Sequence, residues 1–249
     1  MDFYEVLLIL SVGLVAGFIN TVAGGGSLIS LPVLIFLGLP SSVANATNRV
    51  AIFSQNIFGV AGFKSKGIGE FRYSLLLGIS ALFGAIIGAK IAVDIKGELF
   101  NKILAVVMII VVFLTISGKA KPKHEGGENN SVKSRSIGII SFFFVGIYGG
   151  FIQAGVGFLI IAALTSIHGF SLVKTNSIKM FVVLVYTVAA LAVFIYEGQI
   201  NWLYGLILAV GNSAGAWFAS RWSVEKGDKV IKVFLVITVV ALAIKLWLF

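Results

Sequence analysis

The chain has 249 residues, of which 59% are hydrophobic and 12% are charged; its formal net charge is +9 and its mean hydropathy is +1.06. Soluble domains are about half apolar and about one quarter charged, so the composition argues against a soluble protein. Lys and Arg lie mainly between apolar blocks, as in loops on the positive side of a membrane, and the charge therefore predicts no nucleic-acid partner.

Apolar blocks follow one another along the whole chain, and those near twenty residues are long enough to cross a bilayer as helices. Because the blocks are continuous and do not alternate with polar residues, they favour helices over a transmembrane β-barrel. The predicted fold class is an all-α, polytopic membrane helix bundle. The blocks are residues 3–22, 28–39, 43–63, 73–93, 99–117, 137–153, 158–167, 172–196, 202–222 and 230–249.

One polar stretch divides the chain, which predicts an N-terminal transmembrane repeat (1–117), a basic linker (118–135) and a C-terminal repeat (136–249). The halves repeat each other: Thr47-Asn48 recurs as Thr175-Asn176, and Gly24 and Gly26 recur as Gly155 and Gly157. Small residues also match at one constant spacing. They are Gly78, Gly84, Gly88, Ala89 and Ala92 in the first half and Gly205, Gly211, Gly215, Ala216 and Ala219 in the second.

The loop charges predict that the two repeats have inverted topology. Loop 64–72 is basic, whereas its counterpart 197–201 contains no Lys or Arg; conversely, loop 221–232 is more basic than its counterpart 94–102. Since basic loops face the cytoplasm, equivalent loops lie on opposite sides of the membrane. The linker is then cytoplasmic, and both termini lie outside.

Each half begins with an apolar pair that includes a short second block. Residues 28–39 would form a helix of about 18 Å, which is too short to cross a bilayer alone. Two arrangements fit an inverted repeat: five short-to-full crossings per half, or three full crossings plus a re-entrant pair. We favour a glycine-broken, short or re-entrant pair at the start of each half.

The sequence between these paired blocks is AGGGS in the first half and QAGVGF in the second. A Gly-rich turn before a helix presents backbone N–H groups at the positive end of the helix dipole, which favours an anion. A single copy would indicate a tight surface loop. Duplication beside short helices favours a substrate site near the bilayer midplane, as in inverted-repeat transporters.

The third block of each half carries polar residues on one helical face. The residues on this face are Asn45, Asn48, Arg49, Ile52, Gln55 and Asn56 in the first half and Thr175, Asn176 and Lys179 in the second. Such a face should point into the bundle. The amides have an alternative role as hydrogen-bonding glue between helices, and the two cations have the alternative of snorkelling to the membrane surface.

Small-xxx-small motifs begin at Gly13, Gly84 and Gly211 and predict close helix packing; within the third motif, Asn212 and Ser213 could line a pathway. The carboxylates lie near block ends and not in mid-segment, which favours an anion over a cation as the transported ion. No His/Asp/Glu cluster has the spacing of a metal site, and no nucleophile has acid and base partners. We therefore predict no metal, no cofactor and no enzyme.

The stretch AGFINTVAGGGSLISLPVLIFLGLP, followed by ANATN, resembles the opening signature of the TauE/SafE family of sulfite exporters. The second-half stretch GGFIQAGVGFLIIAALTSIHG, followed by KTNSIK, is similar to the family's repeated signature, and the similarity spans nearly the whole chain. The resemblance implies export of a small sulfur-containing anion, such as sulfite, an organosulfonate or thiosulfate, across a prokaryotic plasma membrane.

The resulting hypothesis is an alternating-access carrier whose partners are a small anionic substrate and membrane lipids. An anion channel or a carrier of another small anion is the alternative. A non-transporting scaffold would need a signalling domain or large loop, and an intramembrane enzyme would need catalytic residues. The predicted substrate-binding residues are Asn20, Thr21, Gly24, Gly25, Gly26, Ser27, Thr47, Asn48, Arg49, Gln153, Gly155, Gly157, Thr175, Asn176 and Lys179.

Overall fold

The computed structural model describes residues 2–95, 98–100, 102–103, 106, 128–129 and 131–248, and the regular structure within them is helical. The predicted all-α membrane fold is confirmed. The predicted block 99–117 and most of the predicted linker 118–135 lie outside the described residues. The helices are α1 (Phe3–Val22), α2 (Ser27–Phe36), α3 (Ser41–Ser65), α4 (Phe71–Asp94), α5 (Val132–Phe151), α6 (Val156–His168), α7 (Leu172–Tyr196) and α8 (Trp202–Leu248).

Five of these helices, α1, α4, α5, α7 and α8, are long and apolar enough to cross a membrane. Large apolar side chains on their outer faces are exposed, including Phe83, Phe144 and Phe218. Polar side chains are instead buried along α3, from Asn45 to Asn56. This distribution suits lipid outside and a polar interior, which is the opposite of a soluble bundle.

Local sequence explains several helix ends. The Asp2 side chain accepts a hydrogen bond from Glu5 N–H, and the Glu5 side chain accepts one from Asp2 N–H, which forms a capping box at the start of α1. Ser131 and Ser171 are single-residue N-caps of α5 and α7. The side chain of each accepts a hydrogen bond from the backbone N–H three residues later. Gly227 has a φ of 70° and interrupts α8 between the predicted blocks 202–222 and 230–249.

The first helix of each half packs along the fourth helix of the other half: α1 along α8, and α5 along α4. Small residues permit this close approach. A Cβ on Gly13 would lie 2.8 Å from the Leu208 carbonyl oxygen, and one on Gly84 would lie 2.8 Å from the Ile147 nitrogen. Helices α3 and α7 pack between these pairs, against α8 and α4 respectively, and bring the polar face of α3 into the interior.

Candidate functional site

The two glycine-rich breaks meet inside the bundle. The chain turns between α1 and α2 at Gly24, which has a φ of 94°, and between α5 and α6 at Gly155, which has a φ of 72°. A Cβ on Gly24 would lie 2.5 Å from the Cα of Gly157, so the backbones of the two breaks are in direct contact. The predicted site residues from the two halves are therefore brought together, although Gly24 contacts Gly157 and not its predicted match, Gly155.

Arg49 of α3 caps the C-terminal end of α5. Its guanidinium donates to the carbonyl oxygens of Gly149 and Gly150, the latter at 2.9 Å, and to Gln153 Oε1 at 2.8 Å. Asn45 adds a hydrogen bond from Nδ2 to the Phe151 carbonyl at 2.8 Å. The last carbonyls of a helix have no partner within it, and here α3 supplies the donors.

Lys179 of α7 makes the corresponding contacts at the end of α1. Its Nζ donates to the carbonyl oxygens of Asn20 and Thr21 and to Asn176 Oδ1, each at 2.8 Å. Asn176 Nδ2 donates to the Val22 carbonyl at 2.9 Å. Each half thus provides one cation and one Asn that cap the broken first helix of the other half.

Both cations point into the protein. Arg49 is 0% exposed and Lys179 is 2% exposed, and the terminal nitrogens of both side chains donate to interior backbone carbonyls, so neither side chain snorkels to a membrane surface. Among the described residues, no carboxylate lies within salt-bridge distance of either cation, and no Asp or Glu side chain is buried. Helix C-terminal dipoles offset part of the two positive charges but not all of it.

Several backbone N–H groups at the breaks donate no hydrogen bond to any backbone or side-chain acceptor among the described residues. The side-chain nitrogen Arg49 Nε also has no partner there. These N–H groups lie at the starts of α2 and α6, where the helix dipoles are positive. The backbone N–H groups are those of Gly25, Gly26, Ser27, Ala154, Gly155 and Gly157.

Other predicted site residues hold the breaks in place. Asn48 connects α3 to the start of α2, since its Oδ1 accepts from Ser30 Oγ at 2.9 Å and its Nδ2 donates to Ser27 Oγ at 3.3 Å. Thr21 Oγ1 donates to the Gly17 carbonyl within α1. Gln153 has a φ of 67°, which is unusual for a residue with a side chain, and its Oε1 accepts from the hydroxyl of Tyr186 as well as from Arg49.

The predicted residues Thr47 and Thr175 differ from each other. Thr47 Oγ1 accepts a hydrogen bond from the Asn201 N–H at 3.0 Å, which joins α3 to the start of α8. Thr175 Oγ1 is buried and has no partner among the described residues. The turn of α7 before Thr175 lines a cleft of about 410 Å³ with residues 67–70, Gly227 and Asp228. The hydroxyl of Thr47 thus joins two helices, whereas the buried hydroxyl of Thr175 joins none among the described residues.

Sequence reasoning missed the roles of two residues. Asn45 was assigned to the polar face but not to the site, and Tyr186 was not singled out. The i, i+4 spacing of Asn45 and Arg49 was the available signal for the first, since residues so spaced share one helix face. No sequence pattern marks Tyr186, because its partner Gln153 lies on another element.

The comparison with protein families decides the assignment. Residues 9–246 match the family described as "Sulfite exporter TauE/SafE", which is nearly the entire chain. The chain belongs to the TauE/SafE family. It is therefore a member of a family of multi-pass membrane transporters, and the two breaks described above lie within the matched TauE/SafE region.

Relatives of this TauE/SafE protein carry transporter names. The chain is 28% identical to "Probable membrane transporter protein ORF9" of Sinorhizobium sp, over 93% of this chain and 88% of that protein. It is 26% identical to YfcA of Escherichia coli K12, over 94% and 87%, and 26% identical to YunE of Bacillus subtilis 168, over 86% of both chains. Both are also named probable membrane transporter proteins. No solved structure matches the chain.

Proposed function

We propose that this transporter carries a small sulfur-containing oxyanion, such as sulfite, thiosulfate or an organosulfonate, across a prokaryotic plasma membrane and out of the cell. The class of anion and the direction follow the family description of a sulfite exporter. The substrate binds where the two glycine-rich breaks meet.

The main support for an anionic substrate is that two buried cations have no carboxylate partner among the described residues. A buried charge is costly unless it is paired, and Arg49 and Lys179 have only neutral partners among the described residues. All three Lys179 donors are occupied by carbonyl groups, so this lysine acts at a distance through its charge. An oxyanion between the breaks compensates that charge.

The unpartnered N–H groups supply direct contacts to the anion. Those of Gly25 and Gly26 lie at the start of α2, and that of Gly157 lies in the first turn of α6. The two helix starts meet at the Gly24–Gly157 contact, so donors from both halves converge on one place. Backbone N–H groups at helix starts are well suited to oxyanions because they combine hydrogen bonds with a positive dipole.

The carrier mechanism we propose is alternating access between inverted repeats. The contacts between the third helices support it: a Cβ on Gly59 of α3 would meet the Met180 side chain of α7, while the Arg49 guanidinium lies 5.6 Å from the ring of Phe194. Helices α3 and α7 therefore run antiparallel although they occupy equivalent places in their halves, and inverted orientation requires this.

Flux measurements in liposomes test the proposal. Purified protein should move labelled sulfite, thiosulfate or methanesulfonate with saturable rates, and substrate on the far side should accelerate the exchange. Linear, non-saturating flux of the same anions would identify the alternative, an anion channel. Transport of a cation with no flux of any of these anions would contradict the proposal.

A further inference from the structure

A polar interface between α3 and α8 is not used by the site described above. Ser54 and Ser213 share a hydrogen bond of 2.8 Å between their hydroxyl oxygens, and Asn212 Nδ2 donates to Gln55 Oε1 at 3.1 Å. We refer to these four residues as the α3–α8 seam. Hydrogen bonds between membrane helices commonly join them, and these two bonds alone would need no further explanation.

Two polar atoms of the seam remain without partners in the described part of the chain. They are Gln55 Nε2 and Asn212 Oδ1, and the two side chains are at most 1% exposed. Buried polar atoms nearly always have a protein or water partner, so each unpaired one requires an explanation. The hydrogen-bonded pair of Gln55 and Asn212 thus offers one free donor and one free acceptor, which are the partners that water molecules take.

The equivalent interface in the other half is apolar. At the repeat spacing, Gln55 and Asn212 correspond to Val183 of α7 and Ala85 of α4, which are buried in one hydrophobic cluster. Since α4 and α7 have apolar residues at these positions, the polar residues of the seam are not required for this kind of packing. Their presence in only one half indicates a role that the other half does not share.

We propose that the α3–α8 seam is a hydrated part of the translocation path, where water and the oxygen atoms of the anion bind, whereas the α4–α7 interface stays dry. Gln55 Nε2 donates to the anion or to water, and the free oxygen Asn212 Oδ1 accepts from water. None of the four seam residues is a cation, so the seam passes the anion and does not hold it tightly. This inference rests on the proposed function.

Cysteine accessibility tests the seam, because the natural chain contains no Cys. Gln55→Cys and Asn212→Cys should react with a negatively charged, membrane-impermeant thiosulfonate reagent at least tenfold faster than Val183→Cys and Ala85→Cys, which are similarly buried. Methanesulfonate, which does not consume the reagent, should slow the reaction at the two seam positions. Equal reaction rates at seam and control positions would overturn the proposal.

A second set of variants covers the case in which the first does not fold. Ser54→Cys and Ser213→Cys occupy the same seam, and Val182→Cys and Ile86→Cys are their counterparts. Fast, unprotected labelling of the seam in a protein without anion flux would uphold the hydrated seam and contradict the proposed function. Anion flux with an unreactive seam would uphold the proposed function and contradict the hydrated seam. Failure of one proposal can therefore be distinguished from failure of the other.

Discussion

Gly24 and Gly157 pack backbone against backbone, although one belongs to the break after α1 and the other to the first turn of α6. Neither position has room for a Cβ in this arrangement. The contact fixes the distance between the two helix starts that we propose to bind the anion.

Replacing Gly157 with alanine should abolish transport. Gly157 lies in α6 with ordinary helical backbone, so Gly157→Ala adds only a methyl group against Gly24, and the breaks must separate to accommodate it. Overpacking of this kind costs about 1–3 kcal/mol. Liposome flux and thermal unfolding measure the two effects. Gly69→Ala is the control, since a Cβ there meets nothing within 4 Å; wild-type flux in Gly157→Ala would contradict the assigned contact.

Replacing Lys179 with methionine should destabilise the protein strongly. Lys179→Met leaves the carbonyl oxygens of Asn20 and Thr21 without a donor, and an unsatisfied buried group costs about 1–3 kcal/mol. We expect a loss of about 2–4 kcal/mol in unfolding free energy, measured in detergent. Lys66→Met is the matched control, because Lys66 pairs with the exposed Glu225 and surface ion pairs contribute little. Similar losses in both variants would contradict the capping role.

Valine substitutions at the two equivalent threonines, Thr47 and Thr175, should change the free energy of unfolding by different amounts. Thr47→Val removes the acceptor for Asn201 N–H and should cost about 1 kcal/mol of unfolding free energy. Thr175→Val replaces a hydroxyl that has no partner among the described residues, and its effect should be close to zero or stabilising. Unfolding of both variants under one set of conditions checks the difference. A larger loss at Thr175 would mean that its hydroxyl is bonded in the membrane.

Single cysteines can establish the inverted topology directly. Glu197 and Gly69 are exposed and lie in equivalent loops of the two halves. Glu197→Cys should react with an impermeant maleimide in intact cells, whereas Gly69→Cys should react only after the membrane is permeabilised. The variants control for each other, since both loops are equally short and open. Labelling of both positions from the same side would rule out inverted repeats.

Helix positions could be predicted well from the sequence where apolar blocks are bounded by polar residues. The blocks 3–22 and 172–196 coincide with α1 and α7. Agreement is weaker at α2, predicted as 28–39 and observed as Ser27–Phe36, because Leu37 and Leu39 are apolar but lie beyond the last helical turn. Hydropathy depends on which residues are apolar and not on the hydrogen bonds that define a helix. It therefore could not predict the C-terminal end of α2.

The composition of the candidate site was predictable, but its connections were not. Arg49 and Lys179 were identified as unusual cations, and their roles depend on carbonyl groups about 100 and 159 residues away. Backbone carbonyls are present at every residue and carry no sequence signal, so the choice of Gly149 or Asn20 as partner follows only from the packing of helices. The same applies to Gln55 and Asn212, whose unpartnered atoms emerge only when α3 and α8 meet.

The exchange of caps between the halves also sets an order of assembly during synthesis. Val22 ends α1, and its carbonyl is bonded by Asn176, 154 residues later in the chain. At translation rates of about 5–20 residues per second, Asn176 is synthesised roughly 8–30 s after Val22, and the end of α1 is capped only after that interval. The first half therefore enters the bilayer with the C-terminal end of α1 uncapped. The two halves become one folding unit only when α7 has been inserted.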